Sequence, residues 1–209
     1  SGKILERSGE RMKVTTFDES IAHDIGHAFG YYDYGDEHGL ADAFQNRDAV
    51  AEYIGGYVRM TFAGGMLYTT SERGEGYIAY KLPGQKLGLK AMLPLAKAFF
   101  GCMDFGSVVR FVKIMSKGGS GLDKKLDKER TPYIFVGMVC VREQFQGQGY
   151  MRKVMDIAFS EGNRLKVPVI LETDAKSKCD KYVHLGMELA GERRFGDYGV
   201  LYDLIKYPD

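Results

Sequence analysis

The sequence holds only three cysteines, Cys102, Cys140 and Cys179, among 209 residues. They have no C-x-x-C spacing, and their odd number argues against a disulfide framework. A reducing compartment fits, and the cytoplasm is the expected location. No stretch approaches the roughly 20 apolar residues that cross a bilayer, so no membrane partner is expected. The opening Ser1-Gly2-Lys3 carries no apolar signal core. Net charge is only +1, so neither sign dominates and nucleic acid is not an expected partner. The length suits one sizeable core, and a single domain spanning 1–209 is the expectation.

Hydrophobic periodicity outlines a mixed α/β chain. Residues 11–15 alternate weakly as a first strand. Thr16 and Glu19 form a capping box for a helix with Ile21, Ile25, Ala28 and Phe29 on one face. Residues 30–39 make a loop rich in tyrosine and charge. Residues 41–60 read as a second helix, with Phe44, Val50, Ala51, Ile54 and Val58 inward. Gly55-Gly56 weakens it, since each glycine costs about 1 kcal/mol relative to alanine. Residues 65–80 read as a hairpin turning over 71–76. Residues 90–100 and 107–115 look helical, interrupted near Pro94 and Gly101, and 116–130 reads as a surface loop.

Residues 133–141 form a strand whose apolar run is too continuous for burial on one face only. A helix over 150–164 follows, with Met151, Val154, Met155, Ala158 and Phe159 at helical spacing. Then come a strand at 167–171, a helix at 176–185, and a closing strand pair at 187–192 and 199–205. The antiparallel first half thus leads into strand-helix-strand-helix, with a right-handed crossover expected between two parallel strands.

The turn Gln146-Gly147-Gln148-Gly149-Tyr150-Met151 carries the first chemical signal. It presents consecutive backbone N–H groups at a helix N-terminus, where unpaired donors and the helix dipole favour an anion. Glycine lets a phosphate approach the backbone. A P-loop is excluded, because no Gly-Lys-Ser/Thr follows. A dinucleotide fingerprint fits less well: the third glycine is missing, the turn lies several residues beyond the strand, and only one βαβ unit exists.

The same turn resembles the acyl-CoA pyrophosphate loop of the GNAT superfamily of N-acetyltransferases, Gln/Arg-x-x-Gly-x-Gly/Ala. Val141-Arg142-Glu143-Gln144-Phe145 is similar to that family's strand exit, and Tyr182-Val183-His184-Leu185-Gly186-Met187 resembles its Tyr-x-x-Leu-Gly-Phe signature. Leu171-Glu172-Thr173 lies where the family places its fifth strand. Met151 and Lys178 depart from the pattern, replacing a small residue and an asparagine that touches CoA. The resemblance implies a GNAT-like mixed central sheet with splayed parallel strands flanked by helices. It implies acetyl-CoA as cofactor, held by Gln146, Gly147, Gln148, Gly149, Tyr150, Met151 and Arg152, with Lys178 adding a charge contact to the phosphates. Residues 1–130 would then shape the acceptor side and 131–209 would hold acetyl-CoA.

The resemblance also implies roles in catalysis. Backbone N–H groups at Val139, Cys140 and Val141 would hold the thioester carbonyl. Tyr182 would protonate the departing thiolate. No carboxylate stands in 133–141. Glu172 is the best remaining general base, with a water relay or Asp33 and Glu37 of the tyrosine-rich loop as alternatives. The Cys140 thiol reads as inert core, because no histidine stands nearby in sequence to activate it. His23 and His27 share a helix face as zinc ligands do, but Asp24 is one methylene too short for the usual base, so a solvated face is the default. The acceptor is a small-molecule amine or a peptide, and a homodimer is compatible with the chain. A catalytically silent acyl-CoA-binding module and, behind it, a nucleotide-dependent oxidoreductase are the competing classes.

Overall fold

The computed structural model describes residues 6–8, 11–104, 106–109, 121–194 and 199–209. Its strands are β1 (Glu6–Ser8), β2 (Arg11–Lys13), β3 (Leu67–Thr69), β4 (Gly76–Lys81), β5 (Ile134–Val141), β6 (Val169–Thr173), β7 (Glu188–Arg194) and β8 (Val200–Lys206). Its helices, numbered here in chain order, are α1 (Glu19–Gly30), α2 (Arg47–Ala63), α3 (Leu89–Cys102), α4 (Leu122–Lys128), α5 (Tyr150–Leu165) and α6 (Lys176–His184). The strands form one sheet in the order β1-β2-β3-β4-β5-β6-β8-β7. Only β5 and β6 run parallel; every other neighbouring pair is antiparallel. This is the mixed α/β sheet flanked by helices that the sequence implies.

Each face of the sheet has its own core. On one face Leu67, Tyr77, Ala79, Met138 and Cys140 pack against Ile21, Ile25, Val50, Ile54 and Val58 of α1 and α2. On the other, Ile78, Tyr80, Ile134, Val136, Val169 and Leu171 pack against Val154, Met155 and Ala158 of α5. A smaller cluster joins Leu126 of α4 to Ile170 and Ile205. Among the described residues no helix is long and apolar enough to cross a membrane.

Several local expectations change. Asp18, not Thr16, caps α1, its Oδ1 accepting from the Ser20 N–H at 2.9 Å. Residues 40–43 form a separate 3-10 turn, and α2 begins only at Arg47, where Asn46 accepts from the Ala49 N–H. Gly55-Gly56 does not break α2: a Cβ on Gly56 would stand 2.3 Å from that of Ala98, so the glycine permits α3 to cross closely. Helix α3 runs unbroken through Pro94 and Gly101, with Pro94, its sixth residue, forgoing the bond an N–H there would make to the Lys90 carbonyl. Part of the expected loop 116–130 is helix α4, whose Leu122 and Leu126 are spaced to meet the sheet, while 116–120 lies outside the described residues. The expected helix over 107–115 is described only at 106–109, which are helical, the rest being outside the described residues.

Strand β5 is not covered evenly on both sides. Ile134, Val136, Met138 and Cys140 are buried, Gly137 is exposed, and the other residues are half-buried. The ladder to β4 explains how four alternate residues serve two cores. Ala79 faces Met138 but Tyr80 faces Val136, so Gly137 is the extra residue of a bulge. The insertion reverses the facing of the strand: Ile134 and Val136 point to α5, while Met138 and Cys140 point to α1 and α2. A Cβ on Gly137 would stand 2.0 Å from the Tyr57 hydroxyl of α2. The Gly137→Ala variant should therefore lose about 2 kcal/mol in urea unfolding. Tyr57→Phe, which removes the colliding oxygen, should restore most of it in the double variant. Simple additivity would mean that collision is not the reason for glycine.

Candidate active site

The chain leaves β5 through a short 3-10 turn, Glu143–Phe145, and enters α5 through two left-handed glycines, Gly147 at φ 72° and Gly149 at φ 79°. Those angles favour glycine over any residue with a Cβ. The Gln146 N–H is taken by the Glu143 carbonyl at 3.2 Å. Among the described residues no acceptor meets the N–H groups of Gly147, Gln148, Gly149, Tyr150, Met151 or Arg152, and no side chain caps α5. Consecutive free donors at the head of a 16-residue helix make a concavity for an anion such as a diphosphate. The Arg152 side chain is exposed beside them, and Met151 is half-buried.

A wedge opens next to this loop. Strands β5 and β6 pair only from Ile134–Val169 to Val136–Leu171. Beyond that, β6 continues along β8 to Thr173 and β5 continues along β4 to Val141. The backbone between Gly137 and Val141 thus loses its neighbour on one edge. The Arg142 N–H donates to the Glu75 carbonyl, on the β4 side, at 3.0 Å. Strand alternation then turns the N–H of Cys140 toward β4 and those of Val139 and Val141 into the wedge. The Gln146 side chain closes the outer end, its Nε2 donating to the Val141 carbonyl at 3.1 Å.

Tyr182 lies on α6, half-buried against the α5-side core. Burial raises its pKa well above the ordinary phenol value, with the Asp174 carboxylate the next cause and Cys140 and Tyr32 following. The Tyr182 side chain packs in the same core cluster as Val139 and Val141 at the end of β5. Cys140 itself is buried, and burial pushes its thiol up to about 12, with Asp24 raising it further against Arg142. A thiol so placed is inert at neutral pH.

Lys178 has its partners just beyond β6 and in the tyrosine-rich loop. Its Nζ donates to Asp174 Oδ1 at 2.8 Å and to the Tyr34 hydroxyl at 3.1 Å, and stands 4.4 Å from the ring centroids of Tyr32 and Tyr34. Tyr34 donates in turn to Asp174 Oδ2 at 2.9 Å. None of these partners belongs to the loop 146–152. Glu37 accepts from the Lys176 N–H at 2.8 Å and from the Ser177 hydroxyl at 2.9 Å, capping α6. Asp33 accepts from the Gly35 N–H. The tyrosine-rich loop is thereby fastened onto the helix that carries Tyr182.

Glu172 is the first residue of β6 beyond its pairing with β5 and still pairs with Asp203 of β8. Burial raises its pKa, Arg193 at 2.7 Å opposes the rise, and Asp203 and Asp123 add to it. His23 and His27 are exposed on α1, with ring centroids 6.4 Å apart, and the neighbouring Asp24 pairs with Arg142 at the exit of β5. Two features of the site escaped the sequence reading: the Gly137 bulge and the Tyr57 hydroxyl lying over it. A lone glycine inside an apolar strand was the available signal for the first.

No protein-family model and no curated protein matches the sequence. Solved structures do. One is a histone acetyltransferase HPA2-related acetyltransferase from Corynebacterium glutamicum, with TM-score 0.59 and 12% identity over 95% of this chain and 96% of the other. Another is arylalkylamine N-acetyltransferase 2 from Aedes aegypti, with TM-score 0.55 and 13% identity over 93% and 97%. An N-acetyltransferase from Staphylococcus aureus gives TM-score 0.54 and 14% identity over 90% and 97%. The sheet order, the wedge between its two parallel strands and these likenesses agree: the chain has the fold of the GNAT acetyltransferases.

Proposed function

We propose that this protein is an N-acetyltransferase that moves an acetyl group from acetyl-CoA to a primary amine by direct attack in a ternary complex. The observation that carries the reading is the wedge between β5 and β6, opening beside a loop of free backbone donors. The residues present fit the cofactor: Gly147 and Gly149 leave the amides bare, and Arg152 offers a cation at the same place. Acetyl-CoA supplies an activated acyl group whose leaving group is a thiol.

The chain's own contribution is mostly electrostatic. The amides of Val139 and Val141 stand ready for the thioester carbonyl and stabilise the negative charge that grows on its oxygen. As the amine nitrogen bonds to the carbonyl carbon, the C–S bond breaks and sulfur needs a proton. Tyr182 keeps its proton at neutral pH because burial raises its pKa, so it serves as donor. The same rise makes it a reluctant acid, which places its contribution near the low end of general acid catalysis, about 10²-fold. The amine must lose a proton, and Glu172 takes it in this reading. A carboxylate raised by burial is a better base near neutral pH than an exposed one.

The test is thiol release from acetyl-CoA with a panel of amines. Tyr182→Phe should lower kcat about 10²-fold while the KM for acetyl-CoA moves less than about threefold. CoA-dependent stabilisation with no thiol release from any amine, unaltered by Tyr182→Phe, would establish a binding module instead.

A second measurement follows the base. Glu172 acts only when ionised, and its pKa is raised, so kcat should fall as pH drops through that raised value. Glu172→Gln should lower kcat and remove this acid limb. An acid limb unchanged in Glu172→Gln assigns the base elsewhere.

A further inference from the structure

A cavity of about 280 Å³ lies on the α1–α2 face of the sheet, below the wedge. Tyr57 and Met60 of α2, Met66, Leu87, Phe135 and Gly137 supply its walls. Its size corresponds to roughly ten non-hydrogen atoms at protein packing density. It reaches the bulge at Gly137, the first residue of β5 beyond its pairing with β6. Whatever fills it abuts the place where the wedge begins.

Its polar groups are few and unequal. The Tyr57 hydroxyl lies over Gly137 and, among the described residues, has no hydrogen-bond partner. The Thr61 hydroxyl is occupied by the Val58 carbonyl at 2.8 Å. Asp123 lines the cavity and, among the described residues, no hydrogen bond or ion pair reaches its carboxylate. A Cβ on Gly121 would meet Asp123 at 2.7 Å, Glu172 at 2.3 Å and Arg193 at 3.1 Å, so these side chains converge on one point. Arg193 already answers both Glu172 at 2.7 Å and Asp203 at 2.8 Å. Three carboxylates therefore surround one guanidinium, and the excess is negative. Lys81 also lines the cavity, but it is solvent-exposed and holds its charge in water.

We propose that this cavity is the acceptor site and that it selects a primary amine carried on a compact aromatic or branched apolar body. The apolar body replaces water against Met60, Met66, Leu87 and Phe135. The ammonium is drawn to Asp123, beside Glu172, which this scheme uses as the base. A linear polyamine would leave a second charge against thioether and aromatic walls, and a peptide would bring unpaired amides into them; both are penalised. The inference rests on the acetyl-transfer reading, whose own failure is read separately.

Phenethylamine, putrescine and a Ser-Ala-Gly peptide are compared in thiol release. Binding of 4-fluorophenethylamine is followed by fluorine NMR without CoA. CoA binding is followed by thermal shift. Phenethylamine should show kcat/KM at least about tenfold above both competitors. Leu87→Trp, which fills the cavity from its rim, should raise its KM about tenfold and abolish the fluorine line broadening, with the CoA-induced thermal shift unchanged. Asp123→Asn should weaken the amine about tenfold and leave binding of 2-phenylethanol unaltered; this variant carries the test if Leu87→Trp does not fold. Preference for putrescine or the peptide, or amine binding indifferent to both variants, overturns the proposal even where acetyl transfer is intact. Absence of any CoA-dependent thermal shift overturns the acetyl-transfer reading instead, and the acceptor role with it.

Discussion

A β-sheet satisfies its backbone by pairing every strand with two neighbours, and this sheet stops doing so at one interior point. The ladder between β5 and β6 holds for three residue pairs and then ends, although both strands continue. Parallel pairing abandoned inside a sheet leaves donors that must find another partner, since a buried orphan N–H costs about 1–3 kcal/mol. The cost is tolerable only where solvent or a ligand reaches the gap. The rest of the site depends on that constraint: the amides of Val139 and Val141 and the closing Gln146 side chain stand at this one interruption, and half-buried Tyr182 packs in the same cluster as those two valines.

The bulge at Gly137 makes the interruption compatible with a core on each face. Without it, Met138 and Cys140 would point toward α5, and the α1–α2 layer would lose two contacts at the end of the central strand. With it, each half of β5 serves a different layer. The glycine is held there by space rather than by angle: its missing side chain is where the Tyr57 hydroxyl sits.

Local signals carried what is local. The donor-rich loop, its two glycines and the amphipathic helix behind them fall within one short stretch, and each acts on its immediate neighbours, so the sequence showed them directly. The capping partner of α6 could not be read that way. Glu37 lies about 140 positions before the N–H groups it accepts from, and no periodicity connects the two. The surroundings of Lys178 could not be read that way either: Asp174 is four residues away, but Tyr32 and Tyr34 come from about 144 residues earlier in the chain. Helix α4 was missed for a different reason. Its leucine spacing was present, but glycine and charge on either side read as loop, and only packing on Ile170 and Ile205 decides for helix.

The cluster at Lys178 joins the tyrosine-rich loop to α6. Lys178 and Asp174 are only 18% and 12% exposed, so their pairing is mostly shielded from water and far less screened than a surface pair. Removing Asp174 leaves the ammonium among the rings of Tyr32 and Tyr34 with no carboxylate partner, which is costlier than losing the pair together. The tyrosine-rich loop is therefore tied to α6 by a contact that opposes partial opening. Since α6 also carries Tyr182, the loop and that phenol share one support. The loop and α6 are thus held together by several contacts at once: the Lys178 ammonium, the Tyr34–Asp174 hydrogen bond and the Glu37 cap.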